Sequence, residues 1–235
     1  MDPILEVRGL SKDYGGLRPL HIASLVVAPG ERVAILGLDA QTAEVLVNLL
    51  TGATLPGDGD VRLFGRATSA ITDSGDWLAT LDRLGLVSPR AMLPDAFTVR
   101  QAIAMALTLS LDPVPEEVST VVERLAGEAG LAVAALDEPV ERTDQVTKAR
   151  CRLARALATD PALLLLEHAN ALVPGDAARF GVEIGALAAS RGLAVVAMTA
   201  DAAFARAVAG RVLTLDGATG RLKETAAGWR GWFGR

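Results

Sequence analysis

The sequence predicts an α/β protein: a mixed sheet with a parallel core, helices packed on it, and an inserted helical subdomain. Three features predict this. Residues 32–36 read as a buried strand that turns at Gly37 into an apolar helix running to Gly52. Strand–helix units return after residue 148, where a helix leads into the all-apolar run 162–166. Between them, from about residue 89 to 145, apolar residues recur at helical spacing without a strand pattern.

In chain order, 5–7 and 22–27 read as strands flanking a polar turn at Asp13-Tyr14-Gly15-Gly16. Pro29-Gly30-Glu31 turns the chain into strand 32–36. Gly57-Asp58-Gly59-Asp60 reads as a hairpin-type turn before a strand over 61–65. Strand 84–87 is broken by Ser88-Pro89, and 90–97, with Pro94, is loop. Thr98 is placed to cap a helix from Val99 onward, in which Val99, Ile103, Ala104, Ala106 and Leu107 recur at helical spacing. Pro115-Glu116-Glu117 opens another helix, its acids favouring the dipole, towards Gly130. A helix over 148–158, strand 162–166, a helix from the Asp176 cap to Ser190, strand 193–198, helix 201–208 and strand 211–215 complete the pattern. The expected organisation is one domain over 1–235: a core of 1–88 and 146–220, the helical insertion at about 89–145, and a tail at 221–235.

At 235 residues and 51% hydrophobic, the chain supplies a substantial core. Its net charge of −5 argues against nucleic acid as a partner, because neutralising phosphates needs clustered Lys and Arg. The single Cys151 rules out an internal disulfide. No basic stretch followed by an apolar one marks a signal peptide, and no run approaches the ~20 apolar residues of a membrane span. A soluble cytoplasmic protein is the expectation.

The unit around Gly37 has the layout of a phosphate-binding loop, in which backbone N–H groups and a helix N-terminus wrap a phosphate. The pattern G-x-x-x-x-G-K-[ST] from Gly37 requires Gly at 42, Lys at 43 and Ser or Thr at 44; the chain has Thr42, Ala43 and Glu44. The frame is present without the lysine and the metal ligand. Asp39 and Glu44 either occupy the partly positive helix end themselves, at about 0.3–1 kcal/mol each, or are merely tolerated there.

Read in sequence, LEVRGLSKDYG at 5–15, PGERVAILG at 29–37, LTG at 50–52, PGDGDVRLFG at 56–65, FTVR at 97–100 and LARALATDP at 153–161 resemble the ATP-binding subunit of an ABC transporter along essentially the whole chain. The resemblance implies the P-loop NTPase fold of the ABC ATPase type. It also implies that Tyr14 stacks on adenine and that Gly37, Asp39, Thr42 and Glu44 line whatever nucleotide site is left. The departures fall on the chemistry. The family's lysine falls on Ala43, its magnesium-binding hydroxyl on Glu44, and the glutamine that links nucleotide to the membrane partner on Pro89. The L-S-G-G-Q motif falls on Thr143, Asp144, Gln145, Val146 and Thr147, so both glycines are gone. The acidic pair after the buried strand is Glu167-His168, the following aspartate is Pro174, and the switch histidine is Ala200. Phosphoryl transfer depends on positioning and charge neutralisation, so a degenerate pseudo-ATPase is expected, with no catalytic residue and no metal site. ATP and Mg are cofactors only if weak binding is retained.

What the resemblance leaves is surfaces. Arg90, Met92, Leu93, Phe97 and Arg100 bound the cleft in which the family receives its transmembrane permease subunit; the two arginines are alternatively solvated loop residues. Residues 143–147, with the Gly37 loop, form the expected face for a homo- or heterodimer with an identical or an active ATPase subunit. The expected location is cytoplasmic, peripheral on the inner face of the membrane. The tail 228–235 holds two tryptophans beside two arginines, suiting a membrane interface or partner pocket, or simply a disordered end. Two other readings stay open: a working ATPase that uses Glu167 and His168, and a free-standing regulatory or scaffold protein.

Overall fold

The computed structural model describes residues 2–16 and 18–225. The tail at 228–235 therefore lies outside the described residues. Two sheets form. The first is antiparallel, in the order β2-β1-β4-β5, from β1 (Leu5–Lys12), β2 (Leu20–Val27), β4 (Asp58–Leu63) and β5 (Arg66–Ala67). The second is the expected mixed sheet. It runs β10-β9-β3-β8-β7-β6, from β3 (Arg32–Leu36), β6 (Leu84–Val87), β7 (Leu163–Glu167), β8 (Ala194–Thr199), β9 (Arg211–Asp216) and β10 (Arg221–Glu224). Strands β6, β7, β8, β3 and β9 are parallel, and β10 is antiparallel to β9.

Seven α-helices are described: α1 (Ala40–Leu50), α2 (Ser74–Leu81), α3 (Val99–Ala104), α4 (Glu116–Glu128), α5 (Gln145–Ala156), α6 (Ala177–Arg191) and α7 (Ala202–Val208). The mixed sheet separates two cores, and its strands divide between them with period two. Val33, Ile35, Leu163, Leu165, Val196 and Met198 face α1 and the antiparallel sheet. Ala34, Leu164, Leu166, Val195 and Ala197 face α3–α7. Burial on both faces explains why 162–166 reads as a continuous apolar run rather than an alternating one.

Several expectations needed correction. Strand β4 begins at Asp58, inside the expected turn 57–60, because Asp58 pairs with Ser11 across the sheet. The turn comes after it: Phe64 and Gly65 have φ of 53° and 83°, the paired left-handed residues of a tight hairpin into β5. Asp176 precedes α6, but its carboxylate makes no cap bond there. Helix α2 and strand β10 were not expected. α2 buries no residue completely, so its apolar signal is thin. β10 has only four residues, an edge strand of polar composition. Thr98 caps α3 as expected, with a full capping box through Gln101.

Cys151 lies on α5, 1% exposed, and burial pushes its thiol up to about 11. A thiolate is the reactive form. A disulfide reagent at about pH 8 should therefore find no fast-reacting thiol in the native protein, and one after denaturant is added. Fast native labelling would contradict this packing.

Candidate functional site

The site assembles where β3, β7 and β8 end on the α1 side. Gly37, at φ 91°, turns the chain out of β3, and its N–H is held by the carbonyl of Thr199 at the end of β8. Leu38 goes into the core, and the chain enters α1 through Asp39. The Asp39 carboxylate accepts the N–H of Thr42 at 2.7 Å, and its carbonyl accepts that of Ala43 at 2.9 Å. The Thr42 bonds, helped by nearby His168, hold the Asp39 carboxyl below the usual carboxylate range. Ala43, at the lysine position, is fully buried.

Glu44 does not share the helix end. Its carboxylate accepts Nη1 of Arg90 at 3.0 Å, and it lies beyond the first turn of α1. The same guanidinium forks onto Glu167: Nε to Oε1 and Nη2 to Oε2, both at 2.8 Å. The Glu167 side chain is 5% exposed and that of Arg90 is 43% exposed, so the pair is buried from the carboxylate side. Bidentate geometry of this kind gives strong, charge-assisted bonds. The loop presenting Arg90 is tied down as well. Ser88 Oγ accepts the Arg90 N–H at 3.0 Å, while Arg152 and Arg155 on α5 donate to the carbonyls of Ala91 and Met92, each at 2.8 Å.

His168 follows Glu167 in the left-handed region, φ 44°, with its N–H on the Met198 carbonyl and its buried Nε2 unpartnered. A non-glycine residue held there is strained and worth noting at the end of a core strand. At the switch-histidine position, Ala200 brings no polar side chain; its neighbour Thr199 instead bonds Asn170 at 2.8 Å. Pro89 is exposed.

The α5 N-terminus repeats the α1 arrangement. Asp144, at φ −74° and ψ 172°, accepts the Thr147 N–H at 2.7 Å; Asp39, at φ −74° and ψ 171°, does the same to Thr42 at 2.7 Å. The two caps share the pattern D-x-x-T. Thr143 bonds the Val140 carbonyl, and Gln145 and Val146 open the helix. Thr147 N–H, chiefly, depresses the Asp144 carboxyl below 3.8. A depressed carboxyl contributes stability that is present above the unfolded value and lost as pH falls through the folded one. Asp144→Ala should cost about 1 kcal/mol at neutral pH, and denaturant melts of the two proteins should converge as pH falls below the ordinary carboxylate range. A gap that persists in acid would count against the cap.

Of the residues expected to bound the docking cleft, the structure leaves Met92 free, 82% exposed. Leu93 is core and Phe97 half-buried. Arg100 is held by Asp137, Glu123 and the Ser119 hydroxyl at 2.6–2.9 Å. Tyr14 turns onto the loop, its hydroxyl 3.1 Å from Thr42 Oγ1. Gly16 lies against its ring, where an added Cβ would come within 2.8 Å. The cavity that Tyr14 shares with Gly37, Asp39 and Thr42 measures about 200 Å³, below the ~300 Å³ at which small-molecule pockets begin. A larger cavity, about 920 Å³, lies elsewhere, between α4, α5 and α6. Its Arg124, Arg150 and Arg191 already pair with Glu128, Glu183 and Asp160.

Arg90 as a site residue was missed by the sequence reading, which assigned it to a partner surface. Its signal was charge balance: the chain loses a lysine at 43 and gains an acid at 44, beside a buried Glu167, so a cation has to arrive from another element.

No family model matches the chain. It is similar to the methionine import ATP-binding protein MetN of Brucella abortus (strain 2308), 29% identical over 229 residues, covering 97% of this chain and 61% of that protein. It is also similar to the lipoprotein-releasing system ATP-binding protein LolD of Pseudomonas syringae pv. tomato, 30% identical over 230 residues, covering 94% of this chain and 97% of LolD. The chain thus spans about three fifths of the methionine import proteins it matches. Among solved structures, CbiO1 from Clostridium perfringens, part of the ABC transporter complex cbiONQ, superposes with a TM-score of 0.76 at 20% identity, covering 95% of this chain and 88% of that one. The dimeric bacterial ABC transporter cassette MJ0796 gives 0.76 at 20% identity, covering 97% and 100%. These likenesses establish the ABC cassette fold.

Proposed function

The chain belongs to the ATP-binding proteins of ABC transporters, and from that premise we propose that it is a non-catalytic subunit of a membrane transport complex. One observation carries the reading. At both helix N-termini that the family turns towards phosphate, α1 and α5, an aspartate of this chain already takes the N–H group. An anion is seated where an anion would bind, and a second one meets like-charge repulsion without a lysine to offset it. The buried Ala43, the small Tyr14 cavity and the paired Glu167 support the same conclusion. No nucleotide or metal is then needed.

As a partner-binding subunit, the chain docks on a transmembrane permease and pairs with an identical or an active cassette, peripherally on the inner face of the membrane. The relatives' roles in import and lipoprotein release and the dimeric state of MJ0796 support this. Among the described residues no helix is long and apolar enough to cross a membrane. In this reading Met92 meets the permease, supported by its being the most exposed side chain of the expected set.

A second reading is a working ATPase with divergent residues. It is favoured by the relatives, which are named as ATP-binding proteins, and by the Glu167-His168 pair at the end of β7. Calorimetric titration with Mg-ATP, together with phosphate release, separates the two. The non-catalytic subunit shows neither tight binding heat nor release above background. Tight binding with steady release selects the ATPase.

A further inference from the structure

The family's magnesium does not fit this chain. A divalent cation of this kind asks for oxygen ligands at about 2.0–2.6 Å. The family would draw them from positions 44, 89 and 167, and these are Glu44, Pro89 and Glu167. Pro89 offers no side-chain oxygen. Of the four carboxylate oxygens on the other two, three already accept an N–H of Arg90: both of Glu167 at 2.8 Å and one of Glu44 at 3.0 Å. Among the described residues no group of three or more His, Cys, Asp or Glu side chains is arranged to hold a metal.

We propose that Arg90 is a resident cation standing in for the divalent metal: it bridges Glu44 of α1 to Glu167 at the end of β7, and whatever this face binds, it binds without metal. Three features make the guanidinium a built-in part and not a stray surface contact. It is bidentate on a carboxylate that is 5% exposed. Its third N–H spans to a different element. Its own backbone and the next two carbonyls are held by Ser88, Arg152 and Arg155. Electrostatically, one fixed positive charge meets two carboxylates, which leaves a single residual charge and one carboxylate oxygen, on Glu44, outside the fork. The proposal rests on reading this face as non-catalytic, yet it fails separately from that reading.

The test is Mn²⁺ titration of the full chain, with free metal followed by its electron paramagnetic resonance signal, with and without ATP. The wild-type chain should take up no more Mn²⁺ than Glu167→Gln. Arg90→Ala frees both carboxylates and should gain one site, at least about tenfold tighter than wild type. Arg90→Ala combined with Glu167→Gln should lose that site again. Should Arg90→Ala fold poorly, melting the wild-type protein with and without millimolar Mn²⁺ stands in its place: a metal-filled site raises the midpoint, and the resident guanidinium leaves it unmoved. Wild-type uptake that Glu167→Gln abolishes overturns the proposal, as does an Arg90→Ala protein that gains no site. Either result leaves the non-catalytic reading standing, since that falls only to phosphate release.

Discussion

Arg90→Met is expected to lower the free energy of unfolding by about 2–3 kcal/mol. Removing one partner of a buried ion pair typically costs about 3–5 kcal/mol, because the other charge is left desolvated and unpaired. Glu167 is such a partner, 5% exposed at the end of a strand buried on both faces. Arg90 itself is 43% exposed, so water reaches the cavity that the methionine leaves open, which brings the expected loss below that range. The cause is the stranded carboxylate and not the lost contact, and a double-mutant cycle shows this. Glu167→Gln in the Arg90→Met background removes the charge and should recover most of the loss. Urea melts of the four proteins measure it. If Arg90→Met melts like wild type, or if the second change deepens the loss, the fork is not holding Glu167.

Phosphate release from Mg-ATP by the purified chain should be indistinguishable from the protein-free background. A single transition-state donor is commonly worth about 10²- to 10³-fold in rate. Such losses do not simply multiply, so counting only two as independent, the lysine at 43 and the metal ligand at 44, puts the chain about 10⁴- to 10⁶-fold below an intact cassette. Ala43→Lys alone should recover nothing, since Asp39 still holds the Thr42 N–H and Arg90 still holds both glutamates. A coupled phosphate assay decides the matter. Turnover in the wild-type chain that disappears in Glu167→Gln would show that β7 ends in a working carboxylate.

Much of the fold was legible because the buried strands have plain signatures. β3 and β6 run as expected, and the all-Leu stretch of β7 sits in a sheet covered on both sides. Elements were missed where side chains pack weakly: α2 buries no residue completely, and β10 is a short polar edge. At the site, the losses at 43 and 44 follow from the spacing of the phosphate-loop pattern, and those at 89 and 200 from the resemblance to the ABC cassettes. What replaced them was only half visible. Asp39 as a cap follows from an acid ahead of an apolar helix, and the D-x-x-T pattern at 144–147 has the same form, so both caps were open to inspection. The Arg90 fork was not, because it joins residues 46 and 77 positions apart in the chain, and nothing local to a proline-bounded loop marks its direction.

The loop that carries Arg90 is also a mechanical connection. It leads from β6 towards α3, and four of the five residues from Ser88 to Met92, all but Pro89, are pinned to α1, β7, α5 or the loop itself. For α3–α5 to turn as a body against the sheet about this point, either the fork to Glu167 or both arginine–carbonyl bonds would have to break. A joint tethered that way does not serve as a hinge. Movement imposed on the helices by a bound partner passes into the sheet, which makes this chain a stiff lever between whatever it touches on its two sides.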